Sequence, residues 1–129
     1  PQKWDFEKTG FDEDSEYSFS RKGEDLYGII ITERIQLPLD VLREVAVENM
    51  LSVASEAKIT KEEFRNVNGT KVLLLKIEAS VSGMSFIYYG YYFSNINGTV
   101  QLLTYTSNNL FTFYEEEIES LLNGFVERN

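Results

Sequence analysis

The chain has 129 residues, of which 43% are hydrophobic, and a formal net charge of −9, which fits a single folded domain with its own core. It has no cysteine and no histidine, so disulfides, thiol catalysis, zinc fingers and imidazole-based catalytic or metal sites are excluded. The acidic balance argues against nucleic-acid binding, and no apolar run is long enough to span a membrane.

The first segment, residues 1–15, is polar and acidic after Trp4 and Phe6 and shows no hydrophobic period. We therefore expect a lead-in to a single domain that covers residues 16–129. The chain begins at Pro1 rather than Met. Removal of a leader would explain this and would favour an extracytoplasmic or lumenal location, but trimming of the chain explains it equally well.

Alternating acids near the end of this segment have the composition of a calcium site. Asp12, Asp14 and Glu16 supply the carboxylates that calcium prefers. An EF-hand loop starting at Asp12 needs glycine at its sixth position and glutamate at its twelfth, where Tyr17 and Gly23 stand. The motif fails, so we interpret the acids as a solvated run and expect no metal and no cofactor.

Residues 16–33 predict a β-hairpin. Residues 16–21 alternate, with Tyr17 and Phe19 on one side and serines on the other, as in a half-buried strand. Residues 22–25 are typical of a turn, and residues 26–33 contain a β-branched run that favours a second strand.

The period then changes to that of a helix. Pro38 interrupts the strand pattern, Asp40 is the candidate N-cap, and residues 41–57 are expected to be helical. One face of this helix collects residues at helical spacing: Leu42, Val45, Ala46, Asn49, Met50 and Val53. The polar member, Asn49, is either hydrogen-bonded at the helix–sheet margin or a ligand contact.

Two Asn-Gly-Thr sequences divide the middle of the chain into an antiparallel meander. Asn68-Gly69 and Asn97-Gly98 each join two runs of β-forming residues, and type I′ hairpin turns favour Asn-Gly because both central residues need positive φ. The same sequences are glycosylation sequons, although hairpin chemistry already explains them. The strands are expected at residues 59–67, 70–82, 84–94 and 99–107.

A second helix ends the chain. Thr112 and Glu115 have the spacing of a capping box, and Gly124 is the candidate C-cap. The acids at 115–117 and Glu119 complement the helix dipole and keep the outer face hydrated. An apolar stripe is expected to face the sheet, formed by Tyr114, Ile118, Leu121, Leu122 and Phe125.

The predicted order, β-β-α-β-β-β-β-α, gives an α+β fold with a central antiparallel sheet of about six strands flanked by two amphipathic helices. This order resembles the PsbP-like family, whose fold is shared with the Ran-binding protein Mog. The resemblance covers residues 16–126 and includes Val67-Asn68-Gly69 at the first meander turn and residues 121–125 at the end. It implies an accessory or adaptor protein that acts on a larger assembly.

The aromatic strand is the main candidate for a binding site. Alternation along the strand gives two faces, with Phe86, Tyr88 and Tyr92 on one and Ile87, Tyr89, Tyr91 and Phe93 on the other. Gly90 marks a bulge or a close approach by another group. Tyrosine is enriched at interfaces, but ordinary core packing would use it as well. If this region carries function, the binding residues are Tyr88, Tyr89, Tyr91, Tyr92 and Tyr105.

Three functions remain open from the sequence. The first is a non-catalytic accessory domain that binds a protein partner through an aromatic surface or one sheet edge. The second is a small-ligand binder with a tyrosine-lined cleft between the aromatic strand and a helix. The third is a carboxylate hydrolase, which would need two acids in one pocket. No acid pair stands in an apolar context that would single it out, so we expect no enzyme activity.

Overall fold

A computed structural model describes residues 4–8, 15–21, 26–96 and 98–126. They form one antiparallel sheet of seven strands in the order β1-β2-β3-β7-β6-β5-β4, with two helices packed on it. The elements are β1 (Trp4–Lys8), β2 (Ser15–Arg21), β3 (Tyr27–Glu33), α1 (Leu39–Leu51), β4 (Glu56–Val67), β5 (Thr70–Val81), β6 (Met84–Asn95), β7 (Gly98–Ser107) and α2 (Phe111–Phe125).

The predicted α+β class, antiparallel sheet and pair of helices are confirmed, and the strand count differs by one. The additional strand is β1, which comes from the expected lead-in and pairs with β2 from Trp4↔Arg21 to Lys8↔Tyr17. A strand at a sheet edge is held by backbone hydrogen bonds and needs no alternating pattern. The predicted turn at residues 22–25 and the acids Asp12 and Asp14 lie outside the described residues.

The predicted turn at Asn68-Gly69 is confirmed. The second hairpin also exists, but its turn is not centred on Asn97-Gly98 as predicted. Asn68 and Gly69 have φ values of 52° and 85°, as a type I′ turn requires. In the second hairpin Asn95 pairs with Gly98, so Gly98 is the first residue of β7 and not a central turn residue. A side chain at Gly98 would overlap the Glu33 carbonyl oxygen, which explains glycine at this position.

Helix α1 begins earlier and ends earlier than its sequence pattern indicates. Its N-cap is Pro38, whose carbonyl accepts from Leu42 N at 3.0 Å, so Asp40 lies in the first turn and caps nothing with its side chain. The helix ends because Ser55 N bonds to Ser80 O at 2.9 Å and the chain joins the sheet. As a result Val53, expected on the buried face, is 63% exposed.

Helix α2 also departs from its predicted ends. Leu110 is the N-cap, no side chain caps it, and Thr112 lies inside the helix. Gly124 is helical too, since the helix continues to Phe125 and Val126 is the first extended residue. The predicted stripe is nevertheless confirmed where side chains are described, with Tyr114, Ile118 and Leu122 buried and Leu121 half-buried.

Two cores lie on opposite faces of the sheet. The face of α2 holds the larger cluster, which includes Leu26, Val72, Leu74, Ile87, Tyr89, Tyr91, Phe93, Phe111, Ile118 and Leu122. The face of α1 holds a second cluster, which includes Leu42, Ala46, Met50, Leu73, Leu75, Ile77, Tyr92 and Leu103. The sheet is therefore covered on both faces at β5 and β6, as the continuous apolar run in β5 predicts.

Gly90 is explained by close packing between β6 and β7. It pairs with Leu75 on one side and Leu103 on the other without a register shift, so no bulge occurs. A side chain here would overlap the Leu102 carbonyl oxygen and lie 2.7 Å from Leu103 Cδ2. The neighbour that approaches Gly90 is thus the protein's own strand.

We expect Gly90→Ala to lower the free energy of unfolding by about 1–3 kcal/mol, because the added methyl group overpacks the β6–β7 contact. Gly124→Ala is the matched control, since nothing lies within 4 Å of a side chain at this helical position. That variant should gain up to about 1 kcal/mol from helix propensity. Urea denaturation measures both, and equal stability of Gly90→Ala and the parent would contradict this account of β6.

Candidate functional site

The aromatic strand β6 divides its tyrosines between the two cores. Tyr89 and Tyr91 are 1% and 0% exposed on the α2 face, and Tyr92 is 2% exposed on the α1 face. The predicted assignment of faces is confirmed. Burial removes these three predicted binding residues from the surface and leaves Tyr88 and Tyr105, which are half-buried, as the members of the set that reach it.

The two buried tyrosines on the α2 face hydrogen-bond to the helix. Tyr89 Oη donates to Glu119 Oε2 at 2.5 Å, and Tyr91 Oη donates to Asn123 Oδ1 at 2.5 Å. Arg65 on β4 completes the group, with its guanidinium 3.3 Å from Tyr91 Oη and 3.5 Å from Glu119 Oε1. We call these five residues the α2 latch, because they join one side of the helix to the sheet.

Electrostatics in the α2 latch favour a fixed hydrogen-bond network. Burial and the hydrogen bond to Glu119 raise the pKa of Tyr89. The hydrogen bond from Tyr89, supported by Arg65 and opposed by partial burial, lowers the pKa of Glu119. Burial opposes the charge of Arg65, but its bonds to Tyr91 and Glu63 outweigh that effect and raise its pKa. A catalytic tyrosine needs a lowered pKa and a general acid needs a raised one, so the shifts suit structure better than catalysis.

A second group of tyrosines lies on the opposite face, at the surface. Tyr27 on β3, Tyr105 on β7 and Tyr88 on β6 are directly paired across adjacent strands. Their rings stack, with centroids 5.5 Å apart for Tyr27–Tyr105 and 5.1 Å apart for Tyr88–Tyr105. We call these three residues the tyrosine ladder. The sequence-based set of binding residues does not include Tyr27. Its place beside Tyr105 follows from the register of β3 against β7, which the sequence pattern does not give.

The tyrosine ladder is half-buried at one end and exposed at the other. Tyr88 packs against the α1 core, whereas Tyr27 is 38% exposed. Burial and the neighbouring phenol raise the pKa of both Tyr88 and Tyr105, so these two phenols are uncharged at neutral pH. Cross-strand stacking of this kind holds the rings in fixed positions.

The described concavities do not form a tyrosine-lined cleft. One of about 470 Å³ is lined by Met84, Ser85, Ser107, Asn108 and Asn109, at the start of β6 and the end of β7. Two others, of about 240 and 310 Å³, lie along β4 and are lined mainly by small, aliphatic and charged residues. None of these three cavities has a tyrosine in its lining.

The carboxylates predicted as helix-dipole partners are spread along α2. Glu116 is exposed, Glu115 and Glu117 are half-buried, and Glu119 belongs to the α2 latch. Within the described residues, no group of three or more carboxylates stands close enough to hold a metal ion, and no helix is long and apolar enough to cross a membrane. Asn49, the polar residue of α1, is exposed.

Several solved structures share this fold, and two of them show the extent of the likeness. The crystal structure of PA94 from Pseudomonas aeruginosa, a protein of unknown function suggested to be a regulator, has a TM-score of 0.70 and 14% identity and covers 98% of this chain and 83% of its own. The solution structure of cyanobacterial PsbP from Synechocystis sp. PCC 6803 has a TM-score of 0.67 and 14% identity, with coverages of 93% and 79%. The sequence matches no protein-family model and no curated protein. The fold is thus PsbP-like, as the sequence resemblance implies.

The α2 latch predicts a pH dependence of stability. Because the pKa of Glu119 is lowered by folding, its contribution is complete above the ordinary value of 4.5 and is lost as the pH falls through the folded value. We expect Glu119→Gln to lower the free energy of unfolding by about 0.5–1 kcal/mol near neutral pH, a small value because the carboxylate is partly exposed. The free energy of unfolding of this variant should also fall less steeply than that of the parent as the pH is lowered.

Glu116→Gln is the control, because this exposed residue lies on the same helix outside the latch. Denaturant unfolding at a series of pH values measures the effect. An acid decline in Glu119→Gln as steep as in the parent and in Glu116→Gln would contradict the role given to this carboxylate.

Proposed function

We propose that the protein is a non-catalytic accessory domain that binds a protein partner through the tyrosine ladder. The observation that carries the proposal is the row of stacked tyrosines across β3, β7 and β6. Tyrosines supply broad contact area, and stacked rings have little conformational freedom left to lose on binding. The proposal keeps Tyr88 and Tyr105 from the predicted site and adds Tyr27.

The sheet edge is the less suitable surface for such a partner. Strand β4 ends the sheet on one side and carries Lys58 and Lys61 on its exposed length. Its pairing with β5 shifts register between Ile59 and Lys61. Charged residues and bulges are the features by which edge strands avoid pairing with other chains. We therefore favour the face of the sheet over the β4 edge.

The similar structures are consistent with this class of function. One is PsbP and the other is suggested to be a regulator, and neither is described as an enzyme. An accessory role on a larger assembly, in an extracytoplasmic or lumenal compartment, is the part of the proposal that rests on this likeness and on the sequence resemblance.

The experiment is capture of partners from the native source with the parent protein and with Tyr88→Ser and Tyr105→Ser. We expect a stoichiometric partner with the parent and at least about a tenfold weaker capture with each ladder variant, since central aromatic residues dominate binding at interfaces. Mass spectrometry identifies and quantifies the captured protein.

Phe113→Ser is the matched control, because Phe113 is 76% exposed and lies on α2, on the opposite face of the sheet. Its capture should equal that of the parent. Circular dichroism confirms that each variant folds. Undiminished capture by both folded ladder variants would contradict the proposed surface.

A further inference from the structure

The side chain of Asn68 joins the β4–β5 hairpin to the end of α2. Its Nδ2 donates to Val126 O at 2.6 Å and to Asn123 O at 3.4 Å. Both partners are carbonyl oxygens, so only the amide nitrogen can face them. The last carbonyls of a helix lack partners within the helix and carry the negative end of its dipole, and Asn68 satisfies them from a distant hairpin.

The residue after Asn68 makes this amide chemically vulnerable. Gly69 has no side chain, so its backbone nitrogen is the least hindered nucleophile that can follow an asparagine. Attack of the Gly69 nitrogen on Asn68 Cγ forms a new C–N bond, breaks the Cγ–Nδ2 bond and, with the proton from the Gly69 nitrogen, releases ammonia. Water then opens the resulting succinimide at either carbonyl to give an aspartyl or an isoaspartyl residue, and no other reactant is needed.

The folded structure opposes the first step of this reaction. While Nδ2 is bonded to the carbonyls of Val126 and Asn123, the side chain is held toward α2 and is not free to turn toward Gly69. Reaction therefore requires both hydrogen bonds to break, and opening of the last turn of α2 removes both acceptors together. Local opening of a terminal helical turn is governed by its own free energy, separate from global unfolding.

The product would keep the turn open. A carboxylate at this position has no hydrogen to donate, and it would face two carbonyl oxygens at the negative end of a helix. We propose that Asn68–Gly69 is a deamidation site whose reaction is limited by opening of the last turn of α2 and whose product releases that turn from the hairpin. Opening of the helix end thus sets the rate of deamidation, and deamidation in turn favours the open helix end.

The rate is measured by peptide mapping and mass spectrometry during incubation at mildly alkaline pH, in the folded protein and in denaturant. We expect Asn68 to react in the folded protein at least about tenfold more slowly than in denaturant, because only the open turn reacts. Equal rates in the two conditions would overturn the proposal. Asn97 and Asn123 also precede glycine, so the digest follows the three Asn-Gly sites separately and the rate at Asn68 is read from its own peptide.

Alanine variants of two leucines, both 0% exposed, distinguish local opening of α2 from global unfolding. Leu122 lies near the end of α2, and Leu42 lies on α1 in the other core. Leu122→Ala should accelerate reaction at Asn68 more than Leu42→Ala does, when each rate is compared with the free energy of unfolding of the same variant measured by denaturant titration. Equal acceleration by the two variants would overturn control by the α2 turn.

The consequence of the reaction is tested with Asn68→Asp and Asn68→Ala, compared by hydrogen exchange over residues 119–126. Both variants lose the donor, but only the aspartate adds repulsion. We expect faster exchange in Asn68→Asp than in Asn68→Ala, and faster exchange in both than in the parent. Identical exchange in all three proteins would overturn the claim that deamidation releases the turn.

Discussion

The structure depends on the alternation of side chains along β6, which is buried on both faces. Tyr89 and Tyr91 point toward α2 and Tyr92 toward α1, so each helix packs on a different set of residues from one strand. A slip of one residue would exchange the two sets. Gly90 helps to exclude such a slip, because no other residue fits against Leu102 and Leu103.

Buried tyrosine brings a second constraint, since each hydroxyl removed from water needs a partner. On the α2 face the partners are Glu119 and Asn123, which lie one helical turn apart. The apolar stripe alone would allow α2 to slide or rotate over the sheet, whereas two hydroxyl bonds fix its position along its axis. The same hydroxyls are therefore occupied within the protein, whereas the stacked tyrosines of the opposite face reach the surface.

Much of the fold could be predicted from the sequence, because period-two alternation and turn residues are local signals. The faces of β6 follow directly from that period. Helix ends could not be predicted: Asp40 has the residue type of a cap, but the backbone at Pro38 starts α1 before it. The latch and the ladder join residues far apart in the chain. Strand register reveals the ladder, as in the pair Tyr27 and Tyr105, but the latch contact of Tyr89 with Glu119 depends on how α2 packs on the sheet.

The tyrosines of β3, β6 and β7 form a buried structural set and a surface set. Hydroxyl-radical footprinting of the folded protein, read by mass spectrometry, tests this division most directly. We expect clear modification of the ladder at Tyr27, Tyr88 and Tyr105 and protection of the buried set until the protein unfolds: Tyr89, Tyr91 and Tyr92. Modification of Tyr89 or Tyr91 in the folded protein as fast as that of Tyr27 would contradict the account.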